Sequence, residues 1–438
     1  MMILIFGSAL LVVLLVTGYV FSPYKHPLPT ESDWTYHCSP WWQLYYSSKY
    51  LSPVKQPARN SGLARYFAAD MQPRHNKEGF VVESTATLSA VGDLMCRRDL
   101  QGAAGDHLWD LVGEELFSAD LKIGNLEFAV SHERLIEKLV RYSVPESYAL
   151  PLLGDQRFGK FNMLSLGNNH INDNHSRGVV STCEFLERQG IPFTGANRSA
   201  LEQDRIRMVT CNNITMAVLS YTFTTNGIPP DPGCDYNVNL VRFNALDDKN
   251  YDPSLIKRHI AMAREQGAEV VVACMHWGVE FEYYPPARLV KRAHDLLDAG
   301  IDIIIGHHPH ILNLSERYIT RDGRETFVCY SLGSLTTYAL IFPIMRLSHL
   351  VKINLLRGRD KAGKPAVRID DVTFMPIFHS MNKVNGAMVH RLLPVIRMVE
   401  MMKSGTAPEY LSGRDRKRLL TVYREHAKYF RQTGFGYI

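Results

Sequence analysis

From Thr85 onward the chain is built of short apolar runs separated by polar turns, and the period of the runs alternates. Thr85–Val91 alternates apolar and polar residues and runs into Gly92-Asp93. Leu121–Gly124 is a short apolar run ending at Asn125-Leu126-Glu127, and Phe161–Leu166 runs into Gly167-Asn168-Asn169-His170. Runs of this length and period predict strands. Ser176–Gln189 instead places Val179, Cys183 and Leu186 at helical spacing and closes at Gly190. Ile206–Cys211 and Ile214–Phe223 flank Asn212-Asn213, which predicts a hairpin. A helix over Pro253–Gln266, with Ile256, Ile260 and Ala263 on one face, leads to a strand over Glu269–Met275 that ends in His276-Trp277-Gly278. A second helix over Pro286–Ala299 stops at Gly300, and a strand over Ile301–Ile305 feeds Gly306-His307-His308-Pro309-His310. Two antiparallel pairs follow, Leu312–Thr320 with Glu325–Tyr330 and His349–Leu356 with Ala366–Phe378. Strands alternating with helices predict an α/β domain, placed at residues 81–380.

The two ends differ from this domain. Residues 1–24 contain no charged side chain, and an apolar run of about 20 residues is enough to cross a bilayer core as a helix. Neither a basic leader nor a small-x-small cleavage site accompanies it, so an uncleaved single-pass anchor is expected ahead of a cleaved signal. Only Lys25 flanks the run closely, so charge orients it weakly. Residues 25–80, rich in Pro, Ser and aromatics, read as a linker with some packed structure. Residues 381–438 read as an amphipathic helical appendage through Leu392, Leu393, Ile396, Val399, Leu419 and Val422. Between Arg414 and Arg431 seven Lys or Arg face Asp415 and Glu425. A solvated helix face is favoured there over a membrane- or polyanion-binding one.

Composition adds exclusions. Of 438 residues, 46% are hydrophobic and 21% charged, which rules out long disorder. A net charge of +5 lacks the concentrated basic face of a nucleic-acid binder, so no nucleic acid is expected. The seven cysteines are scattered without a C-x-x-C and form neither a zinc knot nor a disulfide framework, although one bridge through Cys38 or Cys234 stays open.

Candidate chemistry changes the picture most. Asp93, Glu127, Asn168-Asn169-His170, His276 and His307-His308-Pro309-His310 each lie just past the carboxyl end of an apolar strand. In open α/β sheets that edge is where ligands bind. One Asp there is usually a turn residue, and one His is usually structural; three imidazoles in four positions have little structural use. Carboxylate, amide and imidazole together suit Mn, Fe, Zn or Mg. His170, beside an expected ligand, is placed to protonate a leaving group. Glu280 is placed to orient His276. Arg97 and Arg98 either meet an anion or are ordinary surface arginines, and Trp277, Tyr283 and Tyr284 either line a groove or belong to the core.

In order, Gly92-Asp93-Leu94-Met95, Asn125-Leu126-Glu127, Gly167-Asn168-Asn169-His170-Ile171-Asn172-Asp173, His276-Trp277-Gly278-Val279-Glu280-Phe281, Gly306-His307-His308-Pro309-His310 and Ser331-Leu332-Gly333 resemble the CapA/PgsA family of capsule (poly-γ-glutamate) biosynthesis proteins. That family is similar in turn to the calcineurin-like metallophosphoesterases. The resemblance implies a sandwich of two mixed β-sheets flanked by helices, on an envelope protein with its domain outside the cytoplasm. It implies one or two divalent ions held by Asp93, Glu127, Asn169, His276, His308 and His310. Asp93 and His170 would be the catalytic pair, with His170 the general acid, and Arg97, Asn168, Glu280 and His307 would meet substrate. The implied partners are the membrane, an anionic envelope polymer or phosphorylated substrate, and other membrane components of a capsule system. Departures fall at Met95, where metallophosphoesterases carry His, at Phe128–Ser131, at Asp173-Asn174-His175 and at Ser334. Two roles stay open: a metal-dependent hydrolase, or a non-enzymatic accessory protein that guides the polymer during export.

Overall fold

A computed structural model of the protein describes residues 25–31, 40–73, 78–131, 136–138, 141–337 and 342–438. The expected anchor at residues 1–24 lies outside them, as does Cys38. Among the described residues no helix is long and apolar enough to cross a membrane, and Cys96, Cys183, Cys211, Cys234, Cys274 and Cys329 are free.

In chain order the elements used below are α1 (Pro40–Leu51), β1 (Val81–Leu94), β2 (Leu121–Leu126), β3 (Met163–Ser165), α2 (His175–Arg188), β4 (Phe193–Thr194), β5 (Arg207–Cys211), β6 (Ile214–Thr222), α3 (Ser254–Glu265), β7 (Val270–His276), α4 (Ala287–Asp298), β8 (Ile303–His307), β9 (Ser315–Ile319), β10 (Glu325–Cys329), β11 (Ser334–Thr336), β12 (Leu347–Arg359), β13 (Pro365–Val384), β14 (Ala387–Pro394), α5 (Val395–Lys403), α6 (Gly413–Tyr429) and β15 (Gly436–Tyr437). They form two mixed sheets. One has nine strands in the order β14-β13-β12-β1-β2-β3-β4, with β11 on β1 and β15 on β13; the other has six, β5-β6-β7-β8-β10-β9.

The runs that lack alternation are the central parallel strands. All seven residues of β7 are buried, as are all five of β8, because each has a layer on both faces. Leu88, Ala90, Ile123 and Met163 of the first sheet share one apolar cluster with β6, β7 and β8 and with Ile256, Ile260, Leu289 and Leu297 of α3 and α4. The outer face of the first sheet packs Val91, Leu94 and Leu350 against Val179, Cys183 and Leu186 of α2. Each such fully buried side chain contributes about 1.5–3 kcal/mol relative to exposure. The result is a two-sheet sandwich flanked by helices. Asn212 and Asn213 take φ of 48° and 65°, the left-handed pair that a tight turn between β5 and β6 demands.

Two segments depart from the sequence reading. Residues 381–384 and 387–394 are strand, joined by a turn at Asn385-Gly386, not helix: β14 adds to β13 with His390 and Leu392 buried in alternation, and the helices begin only at Val395. The apolar residues of 392–399 satisfy a helical spacing only because strand and helix meet at Pro394. In the 25–80 stretch, α1 is a helix whose Tyr45 and Lys49 are fully buried.

Candidate metal centre

The carboxyl ends of β1, β2 and β3 meet those of β7 and β8, and the polar residues at these ends converge. Asp93 reaches the centre because β1 approaches β11 closely: a Cβ on Gly92 would stand 2.0 Å from the Gly333 carbonyl oxygen, and the Asp93 N–H donates to that oxygen at 2.9 Å. Gly306 plays the same part for β8, where a Cβ would meet the Tyr330 carbonyl oxygen at 2.0 Å. Past β8 the chain turns through His308 and His310 at φ of 97° and 57°. Such left-handed backbone costs non-glycine residues on the order of 1–3 kcal/mol each and is found where surroundings over-determine it, commonly at functional sites.

The distances define one cluster. Asn125 Nδ2 donates to Asp93 Oδ1 at 2.9 Å, and His307 Nδ1 lies 3.0 Å from the same oxygen. The His308 N–H donates to Asp93 Oδ2 at 3.3 Å, and His310 Nδ1 lies 3.4 Å from it. Glu127 Oε1 lies 3.4 Å from His276 Nε2 and 3.6 Å from His310 Nε2, while Asn169 Oδ1 lies 2.9 Å from His276 Nε2. Three overlapping sets each offer donor atoms within 4.8 Å of one another: Glu127, His276 and His308; Asp93, Glu127 and His310; Glu280, His308 and His310.

Charge within the cluster is uneven. Burial would raise the Asp93 carboxyl, but hydrogen bonds from His307 and His310 outweigh it and hold Asp93 well below the usual carboxylate range. Burial, and then the charge of Asp93, push Glu127 well above that range. Burial, and then the charge of His308, push His276 far down, so its imidazole is neutral, the form that ligates a metal. Both Glu127 oxygens are buried without a hydrogen-bond partner among the described residues. Native proteins rarely leave a carboxylate that way. The residues fit a divalent cation: carboxylates and imidazoles come together in overlapping donor sets with the Asn169 oxygen beside His276, and a cation there would supply what Glu127 lacks and reverse its preference for a proton.

Around this cluster the other expected residues fall into place differently. His170 Nδ1 lies 2.7 Å from Asp173 Oδ2, which also accepts the Tyr142 N–H, so the ring is held at its Nδ1 side. Asn168 holds the loop, donating to the Leu126 carbonyl at 2.8 Å and accepting the His170 N–H at 3.1 Å. Glu280 accepts from the Tyr46 hydroxyl of α1 at 2.5 Å. Arg97 is not brought to the cluster: it makes a two-pronged pair with Asp99 at 2.7 Å and donates to the Thr337 carbonyl. Met95 is buried in the outer core beside Leu94. Trp277 and Tyr283 are core residues, fully buried.

Sequence reasoning missed Asn125, Ser334, Asp173 and Tyr46 as parts of the site. Asn125 is the last polar residue of a run already marked by Glu127, a usable signal. Ser334, whose Oγ lies 3.0 Å from His310 Nδ1, follows Ser331-Leu332-Gly333 directly. Asp173 stands three residues after His170, the spacing of a local pair. Tyr46 carries no local signal.

The family model described as "Bacterial capsule synthesis protein PGA_cap" matches residues 87–338. The capsule biosynthesis protein CapA of Bacillus anthracis is 26% identical over 264 residues, 57% of this chain and 59% of that protein. The PGA biosynthesis protein CapA of Bacillus subtilis (strain 168) is 26% identical over 259 residues, 58% of this chain and 63% of that protein. The chain thus spans about three fifths of the length of these relatives. A protein named "Probable polyglutamine synthesis accessory protein" from Mycobacterium tuberculosis is 30% identical over 154 residues, 33% of this chain and 38% of that protein. With the match running from β1 through β11 and taking in every strand end that feeds the cluster, this chain belongs to the bacterial capsule synthesis protein family.

Proposed function

We propose that the protein is a membrane-anchored, divalent-metal-dependent hydrolase that acts on an anionic envelope polymer, or on a phosphorylated precursor of one, outside the cytoplasm. The observation that carries this reading is Glu127, a buried carboxylate without a hydrogen-bond partner among the described residues, set among Asp93, His276, His308 and His310. Asp93, Glu127, Asn169, His276, His308 and His310 would hold one or two ions of Mn, Fe, Zn or Mg. Such an ion, when bound, polarises a phosphoryl or acyl oxygen and makes water a better nucleophile. The remaining work falls to the chain. His170, fixed by Asp173, donates a proton from Nε2 to the departing oxygen or nitrogen, and Glu280, fixed by Tyr46, keeps the His308–His310 side of the cluster in place. Capsule synthesis as the setting is supported by the Bacillus relatives, and the anchor by the uncharged residues 1–24.

A second reading, an accessory protein that guides the polymer without cutting it, is favoured by Met95. This residue leaves the first strand end without the imidazole that metallophosphoesterases carry there and lies in the core instead. One experiment separates the two. Elemental analysis of the purified protein should find one or two equivalents of a divalent metal, lost in a His276→Ala/His310→Ala double variant. A folded protein that stays metal-free after incubation with Mn, Fe and Zn would leave the accessory reading.

A further inference from the structure

Arg346 ends the short 3-10 turn Pro343–Arg346, which packs against β11 and α6. Only 5% of its surface is exposed, and its Nη1 is fully buried without a hydrogen-bond partner among the described residues. The guanidinium stands 5.9 Å from the centre of the Phe378 ring. Buried arginines are ordinarily paired, because a guanidinium taken out of water without an acceptor loses its hydration for nothing in return.

The surroundings deepen the imbalance. Arg97, Arg414 and Arg418 act on Arg346 with like charge, and Asp415 is the carboxylate that opposes them. Burial, and then Arg418, push Arg346 down to about 10. Asp415 accepts through Oδ2 from Ser380 Oγ at 2.8 Å and from Asn382 Nδ2, its Oδ1 is buried without a hydrogen-bond partner among the described residues, and one carboxylate is outnumbered by the arginines around it. Arg97 is engaged by Asp99. Arg414 and Arg418, one turn apart on α6, have no ion pair or hydrogen bond among the described residues. The turn also lies one strand from the metal centre, since it packs on β11, whose Ser334 meets His310.

We propose that Arg346, with Arg414 and Arg418 of α6, forms an oxyanion-binding subsite that takes a carboxylate or phosphate group of the substrate next to the group held at the metal centre. One exposed and one half-buried fork beside a buried guanidinium suit an oxyanion better than any neutral group, because guanidinium N–H groups form charge-assisted hydrogen bonds with it. The site deepens the function proposed above and rests on it for the identity of the substrate, but the binding itself does not require the metal.

The test uses the full chain stripped of metal with EDTA, so that no anion reports through the centre. Isothermal titration calorimetry in chloride buffer is run with inorganic phosphate and, separately, with glutarate, on the wild type, Arg346→Met and Arg418→Gln. At least one of the two anions should bind the wild type, and both substitutions should weaken it by about tenfold or more, the loss of a charge-assisted hydrogen bond. Binding of phosphate alone points to a phosphorylated substrate, and binding of glutarate to a polycarboxylate. Absence of binding to the wild type, or binding unchanged in the variants, overturns the subsite; Arg418→Gln, on a half-buried helix position, decides should Arg346→Met fail to fold. Metal content of the untreated protein is measured in parallel, so a metal-free protein that still binds the anion retains the subsite and loses the hydrolase.

Discussion

Glu127 shows how much one side chain can reveal. A buried carboxylate without a hydrogen bond among the described residues is unfavourable alone and favourable around a cation. Glu127→Gln should therefore weaken metal binding by at least about 100-fold, beyond the 10- to 100-fold typical of outer partners. The same change should leave the melting temperature of metal-stripped protein equal or higher, because burial and Asp93 already disfavour the ionised form of Glu127 and an amide never has to ionise there. Competition with a chelating dye and a thermal melt measure the two halves; a metal-stripped variant that melts lower would contradict the account. His170 makes a different demand. Its ring is braced by Asp173 and is not among the clustered donor sets, so His170→Asn should keep the metal and lower turnover by about 10²- to 10⁴-fold. Metal analysis beside a hydrolysis assay checks this, and loss of metal would move His170 into the holding set.

Among the elements, α1 is the one that sequence patterning concealed. Its Tyr45 hydroxyl donates to Glu282 at 2.6 Å, Tyr46 to Glu280, and the fully buried Lys49 pairs with Glu282 at 3.2 Å. Trp42 stacks on Tyr46 with ring centres 5.2 Å apart, and Tyr50 packs on Phe281. Removing one partner of a buried ion pair strands the other, so Lys49→Ala should destabilise the fold by about 3–5 kcal/mol, whereas Lys49→Met/Glu282→Gln should recover part of that. Urea unfolding of the two proteins reads the difference. The strands that deliver Asp93, Glu127, His276 and His307 were legible because each is an apolar run that stops abruptly at a polar turn. By contrast α1 binds through tyrosines and a lysine to residues more than 230 positions away, and its amphipathicity is aromatic, so no local period marks it. Short strands such as β11 were invisible for another reason: three residues carry too little pattern, and only the close approach permitted by Gly92 and Gly333 defines them. The boundary at Pro394 was lost because strand alternation passes directly into helical spacing.

For the molecule as a whole, two histidine pairs tie the outer strands and the last long helix together. His349 of β12 faces His426 of α6 with Nε2 atoms 2.9 Å apart, and His379 of β13 faces His390 of β14 at 3.1 Å. Each contact needs one ring to donate and the other to accept, which doubly charged rings cannot do. Burial pushes all four down: His349 and His379 far below their usual value, and His390 and His426 each to about 4. Their folded-state values lie below the unfolded value near 6.5, so the unfolded chain takes up protons first as pH falls. Stability is thus intact above about pH 6.5 and declines between there and about pH 4, by up to on the order of 3 kcal/mol apiece for His390 and His426. Urea midpoints of metal-stripped protein at pH 7.5 and pH 5 test this, and equal midpoints would show that the pairs carry no such linkage.

The hydrogen bond from Tyr46 to Glu280 has a practical corollary for anyone cutting the gene. The stretch that matches the capsule family begins at residue 87 and ends at 338. A fragment trimmed to it discards α1, which braces one wall of the centre, and β12, which pairs with β1 along most of its length. An unstable fragment of that kind would report on the scissors and not on the protein. Expression boundaries that begin ahead of Pro40 and run to Ile438 keep both supports.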